Sequence, residues 1–256
     1  MLMKLPRRCS ASVTGASSGL GAAVALGLAR EGAKIALVAR NRDKLNQVAE
    51  QCEECGSKPL IIIADISKDE EAKNIVKTTV EFFGQLDILI NNAGVVGISS
   101  MLDEEIINYY DLVVNTNLRA TVHLTCLSAP HLIKTKGNVI NVSSVAGVRV
   151  PGKNYMCYAV SKAGVDHFTR CAALDLAQFG VRVNSINPGP VNTDIVVNAG
   201  APNPDKIWET FKANTALKKI SEPEEVADLI LFLASDRARS ITGSSIVIDN
   251  GLLVAK

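Results

Sequence analysis

The sequence predicts an α/β fold: a doubly wound, seven-stranded parallel sheet with helices on both faces. Three observations predict it. Short apolar runs alternate with helix-like stretches along the chain, and a glycine-rich turn links the first run to the first helix. The runs are also too continuously apolar to own a solvent face, as befits strands covered on both sides. Right-handed crossovers then build a sheet whose ligands sit at the carboxyl ends of its strands.

The first strand is read at residues 8–13, a run poorer in β-branched apolar residues than a central strand should be. It leads through Thr14-Gly15-Ala16-Ser17-Ser18-Gly19-Leu20-Gly21 into Leu20, Val24 and Leu28 at helical spacing. Residues 34–39 form the second strand, followed by a polar helix over 41–55; residues 60–64 form the third, followed by a charged helix over 68–83. A fourth strand at 86–90 precedes a long helix spanning 102–132. The fifth strand is 138–142 with its helix at 156–179, the sixth is 181–186 and the seventh 244–248. Residues 191–220, which hold Gly200, Pro202 and Pro204, exceed an ordinary connection. Their apolar members Ile195, Val196, Val197, Trp208 and Phe211 suit either a cover over an apolar substrate or a packed surface excursion. No linker or repeat breaks the pattern, so residues 1–256 are expected to form one domain, with 191–220 as its substrate-covering segment.

Composition narrows the function classes. With 47% hydrophobic and 21% charged residues, the chain reads as a soluble globular protein with a substantial core. A net charge of +1 with interspersed signs gives no reason to expect nucleic acid or an anionic membrane as partner. No apolar run approaches the ~18–20 residues that span a bilayer. The basic opening lacks the apolar segment of a signal peptide, and the final Val254-Ala255-Lys256 is no address signal. Six cysteines are too few and too scattered for a disulfide scaffold. The Cys52–Cys55 pair has no second pair to complete a zinc site, so no metal is expected. Reduced thiols and a cytoplasmic location follow as expectations. Asn141-Val142-Ser143 matches a glycosylation sequon but closes an apolar strand run.

The chemistry begins at the glycine-rich turn. Three glycines let the backbone turn tightly and approach a ligand, while the following helix offers free N–H groups and its positive dipole end to a pyrophosphate. Gly15-Ala16-Ser17-Ser18-Gly19 also matches the Gly-x-Ser-x-Gly nucleophile elbow of hydrolases, for which His123, His131 and His167 are the histidine candidates. After the second strand comes Arg40-Asn41-Arg42. An Asp or Glu there would take the ribose hydroxyls of NAD, whereas Arg40 has the fixed charge and donor fork that suit the 2′-phosphate of NADP. Asp65, after the third strand, suits the adenine amino group or a helix cap, and Asn91-Asn92-Ala93-Gly94 closes the fourth strand with a small-residue turn.

Tyr158 and Lys162 stand one helical turn apart after the fifth strand and share a face. A phenol of pKa about 10 is a poor acid–base at neutral pH, but an ammonium ~4 Å away at an effective dielectric near 20 would lower it by about three units. A surface pair on an amphipathic helix would show the same spacing. Ser143 and Ser144 end the fifth strand where this fold places chemistry, and a serine hydroxyl there can donate to a carbonyl oxygen. Asn117 sits inside the long helical pattern, where its local hydrogen bonding competes with the backbone ladder and a distorted helix would hold a water.

Taken in order and spacing, 14–21, 91–94, Asn117, Ser144, Tyr158-x3-Lys162 and Pro188-Gly189 make the whole chain resemble the short-chain dehydrogenase/reductase family, in its single-domain, Rossmann-type branch. Each motif is modest alone; the ordered set is specific. The resemblance implies a hydride-transfer oxidoreductase interconverting a ketone or aldehyde and an alcohol, with NADP(H) preferred over NAD(H). Tyr158 would be the general acid/base and Ser144, three residues before Gly147, would polarise the carbonyl. Lys162 would hold the nicotinamide ribose and depress the Tyr158 pKa, and Asn117 would anchor a water in the proton path. The cofactor would lie along Gly15, Ser17, Ser18, Gly19, Leu20, Gly21, Arg40, Asn41, Asp65, Ile66, Asn91, Ala93, Gly94, Pro188, Gly189, Val191 and Thr193. Candidate substrates are ketosteroid-like or xenobiotic carbonyls, or 3-oxoacyl thioesters. A cofactor-binding regulator without turnover is the alternative of another class, disfavoured because nothing in it would require Ser144, Tyr158 and Lys162 together. The resemblance also implies a homotetramer built from the helices over 104–132 and 156–179. Cys157, beside Tyr158, is a site where oxidation or alkylation would be expected to block turnover.

Overall fold

The computed structural model describes residues 9–198 and 203–255. Seven strands run parallel in one sheet: β1 (Ser10–Thr14), β2 (Lys34–Ala39), β3 (Leu60–Ile63), β4 (Ile88–Asn91), β5 (Asn138–Val142), β6 (Arg182–Pro188) and β7 (Ser245–Ile248). Their spatial order is β3-β2-β1-β4-β5-β6-β7. The chain therefore winds outward from β1 in one direction, returns, and winds outward from β4 in the other. That reversal opens a cleft at the carboxyl ends of β1 and β4, where a doubly wound sheet takes its ligand.

Helices α1 (Gly19–Arg30), α2 (Arg42–Glu54), α3 (Asp69–Phe83), α4 (Ile106–Val114), α5 (Ala120–Thr135), α6 (Met156–Ala177), α7 (Ile195–Asn198), α8 (Pro204–Asn214) and α9 (Pro223–Ala234) complete the fold. Successive residues of one strand serve opposite cores. Ile35 and Leu37 of β2 join Leu28 of α1 and Ile230 of α9; Ala36 and Val38 join Ile75 of α3 and Leu124 of α5. This two-sided burial is why the strands read as unbroken apolar runs. Leu28 and Leu124 are fully buried, and truncating either to Ala would cost about 2–5 kcal/mol.

The weak-looking first strand is an interior one. All five residues of β1 are buried, and it pairs on both edges, with β2 and with β4. Position replaces propensity here, and Asp87 accepts from both the Ser10 N–H (2.7 Å) and the Ser10 hydroxyl (3.0 Å). Ser12 makes no such bond; its hydroxyl is buried without a partner.

Two further departures concern helices. The stretch read as one helix over 102–132 is α4 and α5 joined by a π-helical turn, Asn115–Arg119, with Asn117 buried at its centre. Residues 191–220, read as irregular, contain α7 and α8, and α9 follows them where no helix was placed by residue. Pro204 and Pro223 open α8 and α9 at their first positions, where the missing N–H has no intrahelical partner to lose. The Asn203 side chain caps α8 by accepting from the Lys206 N–H at 3.2 Å, and the Glu225 carboxylate accepts from the Glu222 N–H at 2.9 Å. Arg8, Gly200, Pro202 and the side chain of Val197 lie outside the described residues. Among the described residues no helix is long and apolar enough to cross a membrane.

Candidate active site

The carboxyl ends of the strands border a cavity of ≈890 Å³. The turn from β1 into α1 forms its floor, lined by Gly15, Ser17, Ser18, Gly19, Leu20 and Gly21. Gly19 holds a φ of +52°, and a Cβ there would meet Thr193 Cγ2 at 2.9 Å. A Cβ on Gly21 would stand 2.2 Å from the Gly15 carbonyl oxygen. The turn is thus closed to any side chain but open to a ligand. Ser18 caps α1 without using its side chain, and no acidic residue stands in the first turn, so the helix presents its positive end to the cavity. A pyrophosphate fits this cradle in charge and in shape.

Two cations line the next part of the wall, each facing a carboxylate. Arg40 Nη1 lies 3.9 Å from Asp65 Oδ2, and Lys44 Nζ lies 3.3 Å from Asp194 Oδ2. The second pair ties the start of α2 to the segment that covers the cavity. Asn41 lines the cavity but spends its side-chain oxygen on the Lys44 N–H at 2.9 Å, capping α2. Asp65 also caps locally, accepting from the Ser67 N–H and hydroxyl. Burial pushes its carboxyl up, yet the Ser67 donors, with Arg40 and Lys68, bring it below the ordinary value. Ile66, Ala93, Gly94, Pro188, Gly189, Val191 and Thr193 line the cavity as well.

Ser144, Tyr158 and Lys162 meet on the wall opposite α1. Of the two serines that follow β5, Ser143 is buried and donates its hydroxyl to the Lys162 carbonyl at 3.1 Å, whereas Ser144 is open to the cavity beside the Tyr158 phenol, its hydroxyl oxygen accepting from the Ala146 N–H at 3.1 Å. Tyr155, which has Ala159 and not a lysine one helical turn on, also lines the wall. The expected depression of the Tyr158 pKa is not found. Burial pushes the phenol above its usual value, and the Ser144 hydroxyl pulls it only part of the way back. Lys162 exerts no comparable pull, because its Nζ donates to the Val142 carbonyl at 2.7 Å and lies 5.7 Å from the phenol ring centroid. Burial brings Lys162 itself down to about 8, with Asp166 opposing the fall.

Asn117 does not line the cavity. Its side chain clamps the loop after β4: Oδ1 accepts from the Val95 N–H at 2.8 Å, and Nδ2 donates to the Val95 carbonyl at 2.9 Å and to Ser161 Oγ at 3.0 Å. Those bonds make the side-chain amide a brace for the loop. The π-helical turn that carries it confirms the expected distortion of the helix. Asn91 is likewise a brace, donating to Asn141 Oδ1 at 2.9 Å and Thr125 Oγ1 at 3.1 Å beneath the sheet rim. Its neighbour Asn92 is the residue at the cavity, and it donates to the Thr14 carbonyl at 2.8 Å across the cleft. Strand alternation is the signal that separates the two.

The hydrolase interpretation of Ser17 fails on geometry, since none of His123, His131 and His167 lines the cavity. Cys157 is buried, and desolvation raises its thiol pKa, which opposes the expected reactivity. All six cysteines are free.

Known proteins are similar to this chain over nearly its whole length. A family model described as Enoyl-(Acyl carrier protein) reductase matches residues 15–253. The 3-oxoacyl-[acyl-carrier-protein] reductase FabG of Thermotoga maritima is 35% identical over 247 residues, covering 94% of this chain and 96% of that one. A short-chain type dehydrogenase/reductase from Mycobacterium marinum aligns with a TM-score of 0.91 at 31% identity, covering 99% of this chain and 98% of that one. A short chain dehydrogenase from Burkholderia cenocepacia in complex with NADP aligns with a TM-score of 0.89 at 31% identity, covering 99% of this chain and all of that one. Because the match runs from the glycine turn to the C-terminal tail and the fold aligns over nearly the whole chain, the chain belongs to the short-chain dehydrogenase/reductase family of oxidoreductases.

Proposed function

We propose that the protein is an NADP(H)-dependent carbonyl reductase that interconverts a ketone or aldehyde and an alcohol. The observation that carries this is the convergence of the Ser144 and Tyr158 hydroxyls on the wall of the cavity that holds the glycine cradle. Two hydroxyl donors at one point suit a single oxygen, which favours C=O over C=C as the reacting bond. The turn from Gly15 to Gly21 would hold the pyrophosphate, Arg40 the 2′-phosphate, and Thr193 with Pro188 and Gly189 the nicotinamide end. The dihydronicotinamide supplies the hydride. Ser144 donates to the carbonyl oxygen, and Tyr158 gives up its phenolic proton as that oxygen becomes an alkoxide. A raised phenol pKa keeps the proton donor present at neutral pH, and an alkoxide is far more basic than a phenolate, so the transfer runs downhill. Lys162 would hold the nicotinamide ribose.

To the substrate end we assign Val95, Val96, Ile98, Tyr155, Ile207, Trp208, Phe211 and Leu252 of the lining, none of them charged. Trp208 and Phe211 meet edge to face with centroids 5.9 Å apart. An uncharged, apolar carbonyl of ketosteroid-like or xenobiotic type suits that wall. The name of the Thermotoga maritima relative favours a second substrate, a 3-oxoacyl thioester, whose apolar chain would use the same wall. NADPH consumption against ketosteroids, aldehydes, 3-oxoacyl thioesters and an enoyl thioester decides between them. Turnover of the enoyl thioester alone would overturn the choice of C=O. A homotetramer is part of the same proposal: Ile107 and Leu112 of α4 and Leu174 of α6 are exposed, and light scattering should return four chains.

A further inference from the structure

We propose that Asp166 and Asn187 form the positioning pair of this site: they lock the Ser144 backbone to the helix that carries Tyr158 and Lys162, and Asp166 keeps an anion one helical turn from the Lys162 ammonium. The proposal rests on the reading of Ser144, Tyr158 and Lys162 given above. Both side chains are buried, Asp166 at 5% exposure and Asn187 at 0%. Asp166 Oδ2 accepts from Asn187 Nδ2 at 2.7 Å, and the same amide nitrogen donates to the Ser144 carbonyl at 3.0 Å. Asp166 Oδ1 accepts from Ser185 Oγ at 3.1 Å, and Ser185 Oγ in turn lies 2.9 Å from Ser245 Oγ. One buried carboxylate therefore joins α6 to the turn after β5, to β6 and to β7.

A purely structural origin is hard to reconcile with the chemistry. An apolar residue would fill this part of the core at lower cost than a carboxylate taken out of water. The Asn187 side-chain oxygen has no partner, so this amide is kept for its two donors, and both are spent on the bridge from Asp166 to Ser144. The charge has a use one turn away. The elements packed against Lys162 offer it neutral groups: the Val142 carbonyl from β5 and, near its Nζ, Gly94 and the Asn117 side chain. Tyr158 and Asp166 are its titratable neighbours on α6, and Asp166 is the charge that opposes the loss of its proton.

Asp166→Asn separates the two functions. An amide oxygen can still accept from Asn187, and its NH2 can face Ser185 Oγ, whose proton then goes to Ser245. Geometry is kept and the charge is lost. A unit charge ~6 Å away at an effective dielectric near 20 shifts its neighbour by roughly one to two pH units. In carbonyl reduction, the limb of the kcat/KM–pH profile set by loss of the Lys162 proton should move down by that amount. An NMR titration of 13C-labelled lysine in the protein without cofactor should show the same shift. Asn187→Ala keeps the charge and cuts the bridge, so kcat should fall at least tenfold while the limb and the NADPH KM stay in place. This second variant keeps the proposal testable if Asp166→Asn does not fold. An unmoved limb together with an unmoved Lys162 resonance in Asp166→Asn would overturn the electrostatic half, and a wild-type kcat in Asn187→Ala would overturn the bridge. If Tyr158→Phe retains turnover, it is the site assignment that fails. If Tyr158→Phe is inactive while both positioning variants behave as wild type, only the present proposal fails.

Discussion

Replacing Lys162 with Met should stabilise the fold while destroying turnover, and the gain should depend on pH. Lys162 is 4% exposed and its ammonium falls from 10.5 to about 8 on burial. A drop of ~2.5 units at 1.36 kcal/mol each makes the charged form cost about 3 kcal/mol in the folded state. The sign follows from linkage. Below pH 8 folded and unfolded chains both carry the proton, and the cost is present in full. Between 8 and 10.5 the unfolded chain binds more protons, so wild-type stability rises with pH. The lost Nζ bond to the Val142 carbonyl, 2.7 Å long, gives back ~1 kcal/mol, leaving Lys162→Met ahead by about 2 kcal/mol at pH 7. That lead should shrink by about 2 kcal/mol between pH 7 and 9.5. Urea unfolding of both proteins across this range measures it. A Met variant less stable at pH 7, with a difference that does not change with pH, would refute the claim that the ammonium is held against desolvation.

Three further outcomes are expected. Arg40→Asp should lower the preference for NADP(H) over NAD(H) by at least about tenfold, read as the ratio of KM values, since a charge-assisted contact to phosphate is replaced by repulsion. Ser144→Ala should cut kcat by roughly a hundredfold. Because the Ser144 hydroxyl holds the phenol down, the acid limb of alcohol oxidation, where Tyr158 must lose its proton to act as base, should also move to higher pH. Iodoacetamide at pH 7 should label the buried Cys157 far more slowly in the folded protein than after unfolding in urea, as peptide mass mapping would show.

The sheet was legible where one strand buries both faces. β2 and β5 carry the bounds read from their apolar runs, and α2 and α3 lie within a residue or two of theirs. β1 gave a weaker signal because small residues suffice in a strand paired on both edges. The α8–α9 region was obscured by its prolines, which break a helix in the interior but open one at its first position. Within the site, motif spacing pointed to many residues that line the cavity, but it carried no sign that the amides of Asn91 and Asn117 brace the rim from behind. Charge was the least legible. A lysine one turn from a tyrosine implies a strong pull only if its ammonium points at the phenol, and here it points at the Val142 carbonyl. The Asp166–Asn187 pair was invisible for a related reason, since its partners come from different elements and only tertiary packing joins them.

The central claim is that the Tyr158 hydroxyl delivers the proton while the rest of the cavity binds the nucleotide and the carbonyl. Tyr158→Phe removes that one oxygen and leaves the ring, so stopped-flow single turnover with saturating NADPH tests it most directly. The account predicts NADPH binding by fluorescence within about twofold of wild type and a hydride-transfer rate reduced by about a thousandfold or more. A variant that oxidises NADPH at the wild-type rate with the same carbonyl would contradict it.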